Sequence, residues 1–316
     1  WVETIDEIIK EHGSWETRKN YKPYTFSGDQ IMKTLLVKGP ALSRSGYGEQ
    51  TRFALRALRK HEDKYNILLL NIGWGHTGQI NDDNEETRWL YELMAKAENH
   101  IRHQAPIDIS LQSTIPNEWE QIAPINIGYT AGIETTRVSP QWIEKSRIMD
   151  KIIVVSEHSK DVYNKTVYEV VNQVTQEKFH VSNNTPIEVV NYPVRSLEQH
   201  PVDIELEYDF NFLTVAQMGP RKNMYNTIKW FVQEFHDEEV GLVLKTNMAN
   251  CSTMDKYMSS NHIETALSEF SDRKCKIYLL HGDLTLEEMN SLYAHPKIKS
   301  YITLTHGRGF LEFPFL

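Results

Sequence analysis

The chain has 316 residues, enough for two domains of ordinary size. It carries 43 acidic and 34 basic residues, and the resulting net charge of −9 argues against a nucleic-acid-binding surface as its main function. Its two cysteines, Cys251 and Cys275, are too few for a disulfide framework or a cysteine-rich zinc site. The sequence contains neither an apolar run near the ~18 residues of a membrane span nor a signal-peptide pattern at residues 1–20, so we expect a cytoplasmic protein.

The first half of the chain alternates short apolar runs with helical patterns. Strands are predicted at 35–39, 65–74, 107–111, 123–130, 151–156 and 186–194. Helices are predicted at 49–61, 85–103, 139–150 and 157–171, and the third of them opens with Ser139 as N-cap and Pro140 at its first position. Strands separated by helices of this length predict crossover connections and therefore a parallel sheet.

An acidic segment with a proline, residues 196–209, interrupts this alternation and is predicted to be a linker. After it, strands are predicted at 210–217, 240–246, 276–282 and 299–305, and helices at 223–236, 254–271 and 285–295. The expected architecture is α/β, with a first domain at 1–195 that includes an N-terminal extension at 1–33, and a second domain at 210–316. Two such units in tandem are expected to face a cleft at the carboxyl ends of their strands.

A glycine-containing loop, GPALSRSGYGEQTR at 39–52, follows the first strand and leads into a helix. Gly46 and Gly48 allow tight turns, and the amides at the start of the helix are suited to a phosphate. The spacing differs from G-x-G-x-x-G, so the dinucleotide fingerprint is absent. The alternative is a strand-to-helix turn that simply requires glycine.

The second domain repeats this design in AQMGPRKNMYNTIKWF at 216–231, with Arg221 and Lys222 placed at the predicted start of a helix. Two cations in a first helical turn oppose the helix dipole, which predicts an anion beside them. A solvated basic pair is the alternative interpretation.

Two further loops close strands of the second domain, HGDL at 281–284 and HGRGF at 306–310. Both predict exposed backbone groups that meet a ligand, with a purely structural histidine as the alternative, favoured for His281. In the first domain the glycine-rich strand end at 126–140 places Glu134 toward the predicted cleft. The sequence has no metal-ligand spacing, no Walker A loop and no G-x-S-x-G elbow.

From residue 34 to 316 the order and spacing of these motifs resemble the retaining glycosyltransferases of family 4, which have the two-Rossmann GT-B fold. SRSGYGEQTR is similar to the first glycine loop of that family, and IETTRVSPQWIEKSRIMDKIIVVSEHSKDVY to its helix, Asp, strand and Ser stretch. FLTVAQMGPRKNMYNTIKWF resembles the diphosphate loop, LLHGDLTLEEMNSLYA the nucleobase loop and THGRGFLEFP the Gly-Glu-Gly-Phe-Gly-Leu-Pro loop.

The resemblance implies which residues bind a nucleotide-sugar donor. Arg221 and Lys222 are expected on the diphosphate, supported by backbone amides of Gly46 and Gly48. The nucleobase is expected at the backbone of Gly282, Asp283 and Leu284, and the sugar at Gly309, Phe310 and Leu311. Attack from the front face needs no dedicated protein nucleophile, and Glu134 is the candidate catalytic residue.

The chain also departs from the family pattern. Gln217 stands where an arginine is usual, and Arg308 stands at the first glutamate of the Glu-seven-residues-Glu motif. The second glutamate, the usual ribose partner, would fall one position past Leu316, and the family continues there with further strand–helix units. We therefore expect a truncated glycosyltransferase with apolar surface exposed for self-association.

The predicted function is transfer of a sugar from a UDP- or GDP-linked donor to a hydroxyl of a glycan or other acceptor, with retention of configuration. Neither a metal nor any other cofactor is expected, and neither nucleic acid nor membrane is an expected partner. Two alternatives stay open. One is a catalytically inactive nucleotide- or glycan-binding remnant, which Arg308 and the absent second glutamate favour. The other is a sugar-nucleotide epimerase, which would need paired acid–base groups that the sequence does not show.

Overall fold

The computed structural model of the chain describes residues 32–171, 175–193 and 200–306. These residues form two compact units, the first within 32–75 and 79–193 and the second within 76–78 and 200–306. The N-terminal extension up to residue 31, part of the predicted linker, Arg308 and the predicted sugar loop at Gly309, Phe310 and Leu311 lie outside the described residues.

The first unit is built on a parallel sheet. The strands of the unit are β1 (Lys33–Gly39), β2 (Tyr65–Asn71), β3 (Ile109–Ser113), β4 (Ile125–Tyr129), β5 (Lys151–Val154), β6 (Val167–Val171), β7 (Lys178–Ser182) and β8 (Ile187–Val189). Its helices are α1 (Gly46–Arg59), α2 (Glu85–Arg102), α3 (Pro140–Ser146) and α4 (Glu157–Lys165). Six strands form the sheet in the order β2-β1-β3-β4-β5-β8, and every pairing is parallel.

The central strands of this sheet are buried because helices cover both of their faces. β3 and β4 are buried along their whole length, although their sequences alternate apolar and polar residues. α1 contributes Leu55 and Leu58 to the core, and α2 contributes Leu90 and Leu93. These four side chains have at most 1% of their surface exposed.

The helix predicted at 157–171 is wrong in its second half. α4 ends at Lys165, where Thr166 Oγ1 donates to Val162 O at 2.7 Å. Residues Val167–Val171 then form β6, which pairs antiparallel with β7, a strand that was not predicted. Three valines in these five residues favour extended backbone because a β-branched side chain crowds the preceding helical turn.

The second unit has its own parallel sheet of four strands. The strands are β9 (Asn211–Val215), β10 (Gly241–Lys245), β11 (Lys276–Leu280) and β12 (Ile298–Tyr301), and the helices are α5 (Met224–Phe235), α6 (Thr253–Leu267) and α7 (Leu286–Tyr293). The sheet order is β11-β10-β9-β12, again with parallel pairing throughout. The order therefore reverses direction between β9 and β12, which makes this pair the topological switch point of the sheet.

Part of the predicted linker packs on this second sheet. Val202, Ile204 and Leu206 alternate along an extended segment and join the cluster of apolar residues around Leu213. Lys297 Nζ donates to Leu206 O at 2.9 Å, which fixes the end of the segment. Leu206 is thus buried, and Val202 and Ile204 are partly buried, although the sequence around these residues is acidic.

The α/β prediction with two Rossmann-like parallel sheets is confirmed. Within the part of the chain that the structure describes, every helix is too short or too polar to cross a membrane.

Candidate functional site

The loops at the carboxyl ends of the second sheet hold most of the predicted binding residues. We name them the β9 loop (216–223), the β10 loop (246–252), the β11 loop (281–285) and the β12 loop (302–306). Open α/β sheets bind ligands outside the carboxyl ends of their strands, at the switch point. In this sheet the switch point lies between the β9 loop, which carries the basic pair, and the β12 loop.

The basic pair lies in a turn of its own. Pro220–Lys222 forms a single 3₁₀ turn, and Asn223 follows in the left-handed conformation with φ 52°. Arg221 and Lys222 were predicted in the first turn of a helix, but the break at Asn223 places them before α5. Arg221 is exposed and Lys222 is half-buried.

The β9 and β12 loops are joined by hydrogen bonds. The carbonyl oxygen of Arg221 accepts from the His306 backbone N–H at 2.9 Å and from Thr305 Oγ1 at 3.1 Å. Asn223 Nδ2 donates to Leu304 O at 3.0 Å. The basic turn and the β12 loop, which are distant in sequence, are therefore held side by side.

The β11 loop contains the predicted nucleobase-binding backbone. Gly282 has φ 115°, a left-handed conformation that favours glycine, and its carbonyl oxygen accepts from Lys245 Nζ at 2.5 Å. Asp283 Oδ1 accepts from the Cys251 thiol at 3.1 Å. Burial and the neighbouring Asp283 raise the pKa of that thiol, so it stays protonated and keeps this donor role. Leu284 packs in the apolar cluster below the sheet edge.

Asp255, in the first turn of α6, was missed by sequence reasoning. Its side chain is only 4% exposed and accepts from the backbone N–H groups of three consecutive β10-loop residues at 2.7–2.8 Å, namely Met248, Ala249 and Asn250. It also accepts from His281 Nε2 at 2.9 Å. A signal was present, because Ser252-x-x-Asp255 is a helix N-cap pattern.

Acid is expected to weaken the second unit through Asp255. Burial would raise its pKa, but the hydrogen bonds from Asn250, His281, Met248 and Ala249 outweigh burial and hold the pKa far below its ordinary value. The folded state therefore favours the ionised form, and its stabilising effect is complete above about pH 5 and decreases as the pH falls. In urea unfolding, the stability difference between wild type and Asp255→Asn should shrink from pH 6 to pH 3, by up to about 1.4 kcal/mol per pH unit. A difference that stays constant would contradict this assignment.

In the first unit, the predicted glycine loop closes against the start of α1. Ser45 caps the helix, since its side-chain oxygen accepts from the Gly48 N–H at 3.0 Å. A Cβ on Gly48 would lie 2.0 Å from Ser43 O, so close packing of the loop requires glycine there. Gly46 is exposed, whereas the Gly48 N–H already has a partner within the loop.

The buried guanidinium of Arg52 holds this loop in place. Its Nη1 donates to Ala41 O at 2.6 Å and to Ser43 O at 2.9 Å, and its Nε donates to Glu49 at 2.8 Å. Burial would raise the pKa of Glu49, but the charges of Arg52 and Arg56 outweigh it, so the pKa lies below its usual value. Arg52 thus donates to two carbonyl oxygens of the loop and also pairs with one carboxylate.

A polar cluster lies beyond the carboxyl ends of β3 and β4 in the same unit. Gln50, fully buried, donates to Tyr129 O at 3.3 Å and accepts from the Tyr192 hydroxyl at 2.7 Å. The Tyr47 hydroxyl is 3.0 Å from Thr130 Oγ1, and burial raises the pKa of Tyr47 to about 12. These hydroxyls therefore stay protonated at neutral pH and act as hydrogen-bonding groups rather than bases.

Glu134, the candidate catalytic residue, is exposed in the segment between β4 and α3. Over the described ranges, no group of three or more His, Cys, Asp or Glu side chains is arranged to hold a metal ion.

Comparison with known proteins gives distant structural likenesses. No model of a known protein family matches the chain, and no curated protein sequence matches it. An E. coli structure described as trehalose-6-phosphate bound with UDP-2-fluoro glucose is 8% identical, with a TM-score of 0.47 over 86% of this chain and 78% of that one. The lipopolysaccharide outer core galactosyltransferase WaaB is 9% identical, with a TM-score of 0.47 over 87% and 74%.

A glycosyltransferase from Rickettsia africae is 13% identical, with a TM-score of 0.41 over 87% of this chain and 73% of that one. Because all three TM-scores are below 0.5, they carry no weight beside the residues of the chain itself.

Proposed function

We propose that the chain is a glycosyltransferase of the GT-B type, which moves a sugar from a nucleoside-diphosphate sugar to an acceptor hydroxyl. The observation that carries this proposal is the meeting of the β9 and β12 loops at the switch point of the second sheet. There the carbonyl oxygen of Arg221 accepts from both Thr305 and His306. The β9 loop lies within the stretch that resembles the diphosphate loop of family 4, and the β12 loop ends where the stretch that resembles the Gly-Glu-Gly-Phe-Gly-Leu-Pro loop begins.

The basic turn would act on the leaving group. Negative charge grows on the departing diphosphate as the glycosidic bond breaks, and fixed cations stabilise that charge most in the transition state. In the proposal Lys222 and Arg221 contact the diphosphate, where a guanidinium can bind two phosphate oxygens at once. Gln217 stands where the family has an arginine. In the proposal Arg221, which is next to Lys222 in the sequence, supplies the second cation instead.

The remaining donor contacts are proposed from backbone groups. Gly46 offers an exposed position at the start of α1, and Gly48 allows the close approach of the glycine loop. The nucleobase would meet Gly282–Leu284, and the sugar Gly309–Leu311. The proposal further includes retention of configuration, a UDP- or GDP-linked donor, no metal requirement, Glu134 as the candidate catalytic residue and a cytoplasmic location.

Binding of a diphosphate nucleotide is the direct test. In a thermal-shift screen of UDP, GDP and ADP, one nucleotide should raise the unfolding midpoint by at least about 5 °C at ~100 times its Kd. Lys222→Ala should abolish this shift, because the variant lacks the ammonium on the diphosphate. Lys229→Ala is the matched control, since Lys229 lies within α5 and pairs with Glu269 at 2.7 Å. The control should keep the shift.

The outcomes also separate the alternatives. Binding without sugar transfer to any tested hydroxyl acceptor would favour the inactive remnant. Interconversion of the sugar nucleotide itself would indicate an epimerase. A screen in which none of the three nucleotides shifts the midpoint would refute the proposal for this chain.

A further inference from the structure

The carboxylate of Asp255 accepts hydrogen bonds from two loops at the carboxyl ends of the second sheet, the β10 loop and the β11 loop. Three of its hydrogen bonds come from the β10 loop, through Met248, Ala249 and Asn250, and one comes from His281 at the start of the β11 loop. His281 is itself only 3% exposed at its side chain. A buried carboxylate with this many donors is held in one position, because releasing any donor would leave a polar group unsatisfied.

Gln217 extends the same connection to the β9 loop. Its Nε2 donates to Met248 O at 2.7 Å, and the Met248 N–H donates to Asp255. The Met218 N–H reinforces this link by donating to Asn247 O at 2.7 Å. A continuous path therefore runs from the basic turn through Gln217 and Met248 to Asp255.

On the other side, the path continues into the β11 loop. His281 directly precedes Gly282, which has a left-handed conformation. A glycine restricts the backbone less than any other residue, so contacts from other residues are needed to fix the loop. Lys245 holds the Gly282 carbonyl, and Cys251 holds Asp283. These two contacts come from residues at or next to the β10 loop, so the β11 loop depends on the β10 loop for its position.

We infer that Asp255 is a positioning residue that fixes the β9 loop and the β11 loop relative to one another, and that Gln217 is the link to the β9 loop. This inference rests on the proposed function, in which one loop binds the diphosphate and the other the base of the same nucleotide. A nucleoside diphosphate can contact both loops at once only if the distance between them matches its length. Small displacements of the binding groups weaken these contacts steeply. The glutamine that replaces the usual arginine thus has a structural role of its own.

Asp255→Asn tests the inference through hydrogen exchange, without any ligand. In the carboxylate, Oδ1 accepts from Met248 and His281, and Oδ2 accepts from Ala249 and Asn250. An asparagine has one acceptor oxygen in place of these two, so it cannot satisfy all four donors. Exchange should become about tenfold faster or more at residues 248–250 and also at 281–284, while β9 and β10 keep their protection. Faster exchange confined to 248–250, or spread evenly over the whole unit, would overturn the inference.

Nucleotide affinity gives the second readout, measured by calorimetry with whichever of UDP, GDP and ADP the wild type binds. Asp255→Asn and the exposed Gln217→Ala should each weaken binding, by about tenfold for the former. Ser259→Ala is the matched control, because Ser259 lies within α6 and its Oγ donates to the same carboxylate at 3.3 Å. It should change Kd by less than about twofold.

Two variants keep the test decisive if Asp255→Asn does not fold. Gln217→Ala alters an exposed side chain and should fold, so wild-type affinity in this variant would overturn the role of Gln217. His281→Gln retains a donor toward Asp255 and should bind more tightly than His281→Leu, whereas equal affinities would overturn the role of Asp255. If the wild type binds none of the nucleotides, the proposed function fails, and hydrogen exchange still decides whether the loops are coupled.

Discussion

Replacing Arg52 by methionine is expected to lower the free energy of unfolding of the first unit by about 3–5 kcal/mol. Methionine fills a similar volume but leaves the carbonyl oxygens of Ala41 and Ser43 without their buried donor. It also removes one of the arginines that pair with Glu49, while the pair with Arg56 stays. Removing one partner of a buried ionic network costs more than the network contributes, because the groups left behind stay desolvated.

Arg102→Met provides the control for this prediction. Arg102 pairs with Glu98 one helical turn earlier on α2, and both side chains are about 70% exposed, at 69% and 72%. Such a pair contributes only about 0.3–0.5 kcal/mol. Urea unfolding followed by circular dichroism should therefore separate the two variants clearly. A loss below about 1 kcal/mol for Arg52→Met would show that the loop does not depend on the guanidinium.

Gly128→Ala is the second large effect that we expect, with a loss of about 3 kcal/mol. Gly128 is the fourth of the five residues of β4, and a Cβ there would be 2.5 Å from Trp119 Cζ2. Trp119 is fully buried, so its ring cannot move aside into solvent. The added methyl group must therefore displace either the indole or the strand.

Gly132→Ala is the matched substitution just beyond the same strand. The nearest atom to its Cβ would be Val155 Cγ2 at 3.6 Å, an ordinary contact, so we expect a change within about 0.5 kcal/mol. Trp119→Phe should relieve the clash in a Gly128→Ala background, and the double variant should lose less than the sum of the two single variants. Additive losses would mean that Trp119 is not the cause.

Local signals in the sequence predicted most of the fold. Apolar runs such as 35–39 and 151–156 locate strands because parallel strands are buried on both faces. The start of α3 was predictable from Ser139 and Pro140, since capping depends on a few adjacent residues. The same local reasoning failed at Val167–Val171, where a helical period and β-branched residues gave opposite indications and the pairing with β7 decided the outcome.

The candidate site was predictable only in part. Glycines, histidines and the basic pair mark loop positions, so the β9 and β11 loops were identified from sequence. The contacts that organise them join residues far apart along the chain, as with Asp255 and His281 or Arg221 and His306. Such pairs depend on the assembled sheet, and nothing in the spacing of a single carboxylate or arginine specifies its distant partner.

The strand order of the second sheet also sets the order in which the protein can be made. β9 pairs with β10 on one side and with β12 on the other, and Thr214 Oγ1 donates to Ile302 O across 88 positions of sequence. A ribosome needs about 4–18 s to synthesise a stretch of that length, and during this time one edge of β9 has no strand to pair with. An unpaired edge of a buried strand readily joins other chains, so the newly made protein is most exposed to aggregation before β12 emerges. Among the described strands of the second sheet, the pairing at the switch point is consequently the last to form.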